Sequence, residues 1–252
     1  MAHFDKNKIL IFIPTYNERD NVKPLIKAIE KEGIGSSKIL FIDDNSPDGT
    51  GKILDTLSKK DSNLLVLHRK GKLGIGSAHL RALRIAYEKG YEKLITMDCD
   101  FTHSPAYIKK MLELSDKYDL VITSRYLRKD SLKSWSKSRK TMTYIGHFFT
   151  KTFLRMSYDA SGAYRLYNLN KISKKVFDLV KSSSYSFFFE SLYFINLNHY
   201  RIKEIANALP SRARGQSKMK LSDIVTNMFF LLNLFIQTLI NRKKYLIQDN
   251  LH

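Results

Sequence analysis

The chain is poor in cysteine, with Cys99 alone among 252 residues. One cysteine excludes an intramolecular disulfide and points to a reducing compartment. Acidic residues are also few, 24 Asp and Glu against 43 Lys and Arg, for a net charge of +19. Such an excess calls for an anionic partner, either nucleic acid, a membrane surface or a phosphorylated ligand, or reflects a lysine-rich solvated surface. No stretch of 18 purely apolar residues occurs, so no membrane-spanning helix is expected. The opening MAHFDKNKILIFIPTYNE has too short an apolar run for a secretory leader. The seven histidines show no metal-ligand spacing. Zinc-finger, RNP and KH signatures are missing too, so nucleic acid is not the expected partner. Repeats and low-complexity linkers are absent, and no domain boundary is expected before about residue 218.

What is present is an alternation. Apolar runs at 8–13, 38–42, 64–68, 93–97 and 119–123 are separated by helical patterns over 20–32, up to Leu57, up to about Lys89 and over 105–117. This predicts βαβ units and a mostly parallel sheet buried on both faces. Ligands of such sheets bind beyond the carboxyl ends of the strands. The polar clusters stand at those ends: Tyr16-Asn17-Glu18, Asp43-Asp44, His68-Arg69-Lys70, Asp98-Asp100 and Ser124-Arg125. One crevice would therefore collect carboxylates and basic groups together, and those carboxylates would repel a nucleic-acid backbone.

Within MDCDFTHSP, residues 97–105, Asp98 and Asp100 flank one small residue. If the strand continued through them, both would face the same side. Two such carboxylates repel unless a cation lies between them. Oxygen ligands suit Mg²⁺ or Mn²⁺, with diphosphate oxygens completing the shell, whereas the bland reading is a solvated pair or a helix cap. Cys99 between them reads as a space-filler, because flanking carboxylates raise a thiol pKa. Asp43 and Asp44 are placed to accept from a nucleobase or ribose, or to shape an Asx-turn into Ser46-Pro47-Asp48-Gly49. KGKLGIGSA, residues 70–78, opens a helix and could bring backbone N–H groups to a phosphate, but it fits neither G-x-G-x-x-G nor the Walker pattern and reads first as a tight turn. The run Arg212 to Lys218 is a basic loop suited to phosphate or simply solvated. Trp135, in a polar basic stretch, is either a contact to sugar or membrane or a partly buried anchor.

Taken together, PTYNE (14–18), DDNSPDGT (43–50), KLGIGSA (72–78), MDCDFTH (97–103), SRY (124–126), Asp159-x-x-Gly162-x-x-Arg165 and RARGQSK (212–218) resemble the family 2 glycosyltransferases. Within them the chain looks like the dolichol-phosphate (polyprenol-phosphate) mannosyltransferases. The resemblance implies a GT-A, Rossmann-like α/β fold over residues 1–218, a nucleotide-diphosphate sugar donor and Mg²⁺ or Mn²⁺ as cofactor. Pro14, Tyr16, Glu18, Asp43 and Asp44 would line the nucleoside pocket. Asp98, Cys99 and Asp100 would form the D-x-D segment, with Asp98 and Asp100 on the metal. Arg125, Arg139, Arg212 and Lys218 would meet donor or acceptor phosphates. Cys99 stands where the family usually has Ala, and Thr102 where some relatives place Gln.

The implied reaction is inverting transfer of mannose from GDP-mannose to a polyprenyl or dolichyl monophosphate. A carboxylate at the base pocket accepts from guanine and uracil alike, so the donor is read from the resemblance alone. The alternative is a hydroxyl acceptor in cell-surface polysaccharide assembly, which needs a base and has Asp159 and Glu190 as candidates. Residues 219–252 carry the apolar stretch IVTNMFFLLNLFIQTLI, closed by Asn241-Arg242-Lys243-Lys244. They are expected to form an amphipathic helix on an anionic membrane surface, at the cytoplasmic face. A short span and a helix packed on the core are the competing readings, and the tail leaves room for a membrane-protein partner.

Overall fold

The computed structural model describes residues 8–34, 37–133, 135–208 and 221–247. Its centre is a seven-stranded sheet of order β3-β2-β1-β4-β6-β5-β7. The strands are β1 (Ile9–Thr15), β2 (Lys38–Asp43), β3 (Leu64–His68), β4 (Lys93–Thr96), β5 (Leu120–Ser124), β6 (Arg165–Asn168) and β7 (Ile202–Ala206). Pairing is parallel except around β6, which runs antiparallel to both β4 and β5. The expected five strands and mostly parallel sheet are all present.

The near-continuous apolar strands are explained by two covered faces. Leu10, Phe12, Leu40, Ile42, Leu94 and Leu120 point to one core, and Ile9, Ile11, Ile13, Ile39, Phe41 and Ile95 to the other. Helices α1 (Arg19–Lys31), α2 (Thr50–Ser58) and α4 (Ile108–Ser115) close the second face, through residues such as Val22, Leu25, Leu54 and Met111. Helix α3 (Ile75–Glu88) and two later helices close the first. Each fully buried Leu, Ile or Phe contributes about 1.5–3 kcal/mol, so the paired cores dominate the stability.

Five elements between β5 and the C-terminal helix, three helices and the strands β6 and β7, were not expected. Helix α5 (Lys137–Phe153) buries only Thr150, so its sequence carries no inward stripe. Helix α7 (Ser186–Leu197) is buried on nearly every side, so its sequence is apolar all round and loses helical periodicity. Strand β6 is four residues long and begins with an arginine. A short α6 (Lys175–Asp178) precedes α7.

The C-terminal helix α8 (Leu221–Ile240) lies against α5 and α7. Leu231 and Leu234 enter the first core, and Phe235 meets Phe153 of α5 edge-on at 5.3 Å. Polar ties add to this: Ser186 Oγ donates to Asn227 Oδ1 at 2.5 Å, and Tyr193 OH to Thr238 Oγ1 at 3.0 Å. Beyond the helix, Asn198 accepts from the Ile247 N–H and donates to the Tyr245 carbonyl. The opposite side of α8 carries exposed Val225, Phe229, Ile236, Leu239 and Ile240. Among the described residues, no helix is long and apolar enough to cross a membrane. The expected division at 218/219 lies outside the described residues.

Candidate active site

The carboxyl ends of β1 and β2 are joined by a run of backbone donors. Asn17 stands at φ 57°, which turns the chain so that successive amides face the β2–α2 loop. The Asn17, Glu18 and Arg19 N–H groups donate to Ser46 Oγ, Thr50 Oγ1 and Asp48 Oδ2 at 3.0, 3.0 and 3.1 Å. Glu18 accepts from Asn21 Nδ2 at 2.7 Å. Burial tends to raise the Asp48 pKa, but hydrogen bonds from Thr50 and Arg19 outweigh it and hold the carboxylate below its ordinary range. DDNSPDGT is thus the receiving half of a loop–loop latch whose donors are the amides of Asn17, Glu18 and Arg19. Lys72 reaches over the Tyr16 ring, 5.1 Å from its centroid.

The two aspartates of that motif part company. Asp43 is buried and accepts from Thr15 Oγ1 at 3.1 Å, Ser46 Oγ at 2.6 Å and the Ser46 N–H at 3.1 Å. Asp44 is held from both oxygens by Arg69, through Nε at 2.5 Å and Nη2 at 2.6 Å. Arg69 also donates to Ser77 Oγ and the Gly74 carbonyl. The pair therefore fastens the glycine-rich loop to the end of β2, and Asp43 closes its turn on Ser46, three residues on, beside any nucleoside role.

The glycines of that loop serve chain packing. At Gly76, an added Cβ would lie 2.6 Å from both Phe187 Cβ and the Ser184 carbonyl oxygen. Gly74, at φ 92°, would press on the Ser183 carbonyl. The Ser77 N–H, at the start of α3, already donates to Ser183 O at 3.0 Å. A phosphate-cradling role for this segment is therefore replaced by close packing against the loop before α7.

The D-x-D segment is a loop, because β4 ends at Thr96. The strand rule for i and i+2 does not apply there, and Phe101 takes φ 64°. The Asp98 side chain is 34% exposed. Asp100 is buried and accepts through Oδ1 from the Thr102 N–H at 3.1 Å and Thr102 Oγ1 at 2.6 Å. Cys99 turns its thiol into the second core, so any contact with a donor falls to its backbone. His103 steadies the loop, accepting the Asp98 N–H at Nδ1 (2.8 Å) while stacking on Tyr164 at 5.1 Å. Among the described residues, no group of three metal-ligating side chains occurs. Two carboxylates of this kind fit Mg²⁺ or Mn²⁺ that keeps water and substrate oxygens, and do not make a closed cage.

Arg125 follows β5. Its Nε and backbone N–H both donate to Asp159 Oδ2, at 2.7 and 3.0 Å, and its side chain is 12% exposed. Burial works against its charge, yet Asp159, helped by Asp98, raises its pKa above the ordinary value. The Asp159 N–H donates to Glu204 Oε1 of β7 at 2.7 Å. Arg165 is wholly buried and donates to the carbonyls of Ala160, Gly162 and Phe188 and to Ser191 Oγ. It ties the Asp159–Gly162 loop to α7. Arg139, on α5, stacks on Trp135, its guanidinium carbon 3.6 Å from the ring centroid. Arg212 and Lys218 lie outside the described residues.

Residues 10–176 match the family model described as glycosyl transferase family 2. The chain belongs to that family. It is 33% identical over 213 residues to an undecaprenyl-phosphate mannosyltransferase of Micrococcus luteus, covering 84% of this chain and 87% of that one. It is 32% identical over 225 residues to a polyprenol monophosphomannose synthase of Mycolicibacterium smegmatis, covering 88% and 84%. The fold matches that of glucosyl-3-phosphoglycerate synthase from Mycobacterium tuberculosis, solved with Mn²⁺, UDP and glucosyl-3-phosphoglycerate. That match has a TM-score of 0.61 at 15% identity over 90% of this chain and 79% of the other. A Mg²⁺ and UDP complex of the same enzyme aligns at 0.60 and 16% identity, over 90% and 78%. The protein is therefore a glycosyltransferase with a GT-A-like α/β fold.

Residue pattern alone missed Glu204, and it named Arg69, Arg165 and Ser46 to Thr50 without the partners that the structure gives them. Arg69 and Arg165 had a signal, since each is an arginine beside an apolar strand. Glu204 had none.

Proposed function

We propose that this transferase moves mannose from GDP-mannose onto a polyprenyl monophosphate at the cytoplasmic surface of a membrane, with inversion and with Mg²⁺ or Mn²⁺. The observation that carries the reading is the state of the two carboxylates able to act as base. Asp159 is committed to Arg125, and Glu190 accepts the N–H groups of Lys181 and Ser182 at 2.9 and 2.8 Å. A hydroxyl acceptor needs a base. A lipid phosphate, with its second pKa about 6, is already anionic near neutral pH. The named activities of the Micrococcus and Mycolicibacterium relatives support the same acceptor class.

Asp98 and Asp100 would hold the metal, which when bound supplies positive charge to the diphosphate leaving group. Tyr16, Glu18 and Asp43 line the nucleoside end, with Pro14 and the Cys99 backbone beside them. Arg125 and Arg139 offset the repulsion between donor and acceptor anions, in company with Arg212 and Lys218.

Docking at the membrane is supported by exposed apolar side chains on two packed helices. Phe148 is 62% exposed on α5 and Phe229 70% exposed on α8, with Tyr144, Ile145, Ile236 and Ile240 also open to solvent. Exposed Arg242, Lys243 and Lys244 follow α8 and suit anionic headgroups.

The test is a donor and acceptor panel with the full chain: GDP-mannose and UDP-glucose, each with polyprenyl phosphate or a sugar hydroxyl. Mannosyl transfer to the lipid phosphate alone is expected. Transfer only to the hydroxyl would replace this reading with polysaccharide assembly.

A further inference from the structure

Two cations of the site meet at one aromatic ring. The guanidinium carbons of Arg139 and Arg125 lie 3.6 and 5.8 Å from the ring centroid of Trp135. Trp135 is the sole tryptophan of the chain. Its indole N–H is buried and has no hydrogen-bond partner. A buried indole normally uses that N–H to fix its orientation. Here packing and the two guanidinium groups orient the ring instead. Arg125 arrives from the end of β5, already paired with Asp159, while Arg139 arrives from the first turns of α5.

Without an intervening group these like charges repel. The negative face of an indole attracts guanidinium and is the strongest of the natural π partners. We propose that Trp135 is a positioning residue that holds Arg125 and Arg139 together as a clamp for a phosphate or diphosphate ligand. The proposal rests on the phosphate chemistry assigned above and adds to it the residue that assembles the clamp. It also explains an aromatic side chain in a polar, basic stretch. In this role the ring acts through the two arginines.

The test uses the full-length protein and two kinds of measurement. Trp135→Leu keeps apolar volume without a π face, and Trp135→Phe keeps a weaker one. Leu is expected to lower kcat/KM for mannosyl transfer by roughly tenfold and Phe by less, with melting temperatures unchanged. The sole tryptophan also reports directly. Its emission should differ between wild type and Arg139→Ala without ligand, and inorganic pyrophosphate with Mg²⁺ should change it saturably in wild type and far less in Arg139→Ala. Equal activities for Leu and Phe, a rate loss that follows a loss of melting temperature, or emission indifferent to Arg139 would overturn the proposal. If the wild type transfers no mannose, the activity assignment fails by itself, and the emission response to pyrophosphate still decides whether the clamp exists.

Discussion

Arg125 and Asp159, 34 residues apart, share a single carboxylate oxygen: both the Nε and the backbone N–H of the arginine donate to Asp159 Oδ2. The contact fixes side chain and main chain at the end of β5 together. Breaking it leaves a buried charge without its partner, which costs about 3–5 kcal/mol. Asp159→Ala should therefore lower the free energy of unfolding by that amount and reduce transfer. Asp159→Asn, with the shape kept and the charge gone, should lose less stability and still lose rate. Unaltered turnover in both variants would remove Arg125 from the reaction.

The D-x-D loop makes a separate prediction. Asp98→Asn and Asp100→Asn each withdraw one negative charge from the assigned metal site. Each should cut kcat by about a hundredfold or more, given several kcal/mol of charge stabilisation from a metal. Chelation by EDTA should stop transfer, and Mg²⁺ or Mn²⁺ should restore it. Full activity in EDTA would sink the metal assignment.

Gly76→Ala sets two effects against each other. Alanine is favoured over glycine within a helix by up to about 1 kcal/mol. Its Cβ would meet Phe187 Cβ and the Ser184 carbonyl at 2.6 Å, and neither is the end of a flexible chain. Overpacking of this kind costs about 1–3 kcal/mol. Urea unfolding is expected to show a net loss of stability. A stabilised variant would contradict the close contact of α3 with α7.

Glu190 gives stability a pH dependence of defined sign. Burial raises its pKa, and the N–H groups of Lys181 and Ser182 oppose this only in part. The folded state therefore holds the proton more tightly than the unfolded state, whose reference value is 4.5. Stability from this group is fully present below that value and is lost as pH rises through the raised folded pKa. Glu190→Gln should flatten this part of the stability–pH profile, read from thermal melts. An unchanged slope would show that the group is not desolvated.

Helix α8 should behave as part of the folded body. Leu231→Ala, which empties a buried position, should cost about 2–5 kcal/mol. Phe229→Ser, on the exposed side, should leave stability nearly unchanged and weaken sedimentation with anionic vesicles. A protein cut after residue 218 should melt lower and bind GDP poorly. Normal melting and GDP binding by the cut form would show that α8 contributes nothing to the core.

The sequence by itself determined the first half of the fold and pointed to a candidate site at the strand ends. Buried strands need apolar runs, and chain reversal at their carboxyl ends needs polar residues, so β1 to β5 and Asp43, Asp98, Asp100 and Arg125 were legible from local pattern. The motif set also carried the family. Tertiary structure decided the rest, because the deciding contacts join residues far apart in the chain. Asp43 and Asp44 are alike in sequence, and only the approach of Arg69 commits one of them to the glycine-rich loop. The glycines of residues 74 and 76 suit a phosphate or a crossing chain equally well until the loop before α7 fills the space. Helix α7 was hidden because burial on every side erases periodicity, and α5 because it has almost no buried face. Trp135 read as an isolated ring among charges. Its contact with Arg139, four residues on, is local, but its approach to Arg125 follows from where β5 and α5 deliver the two arginines.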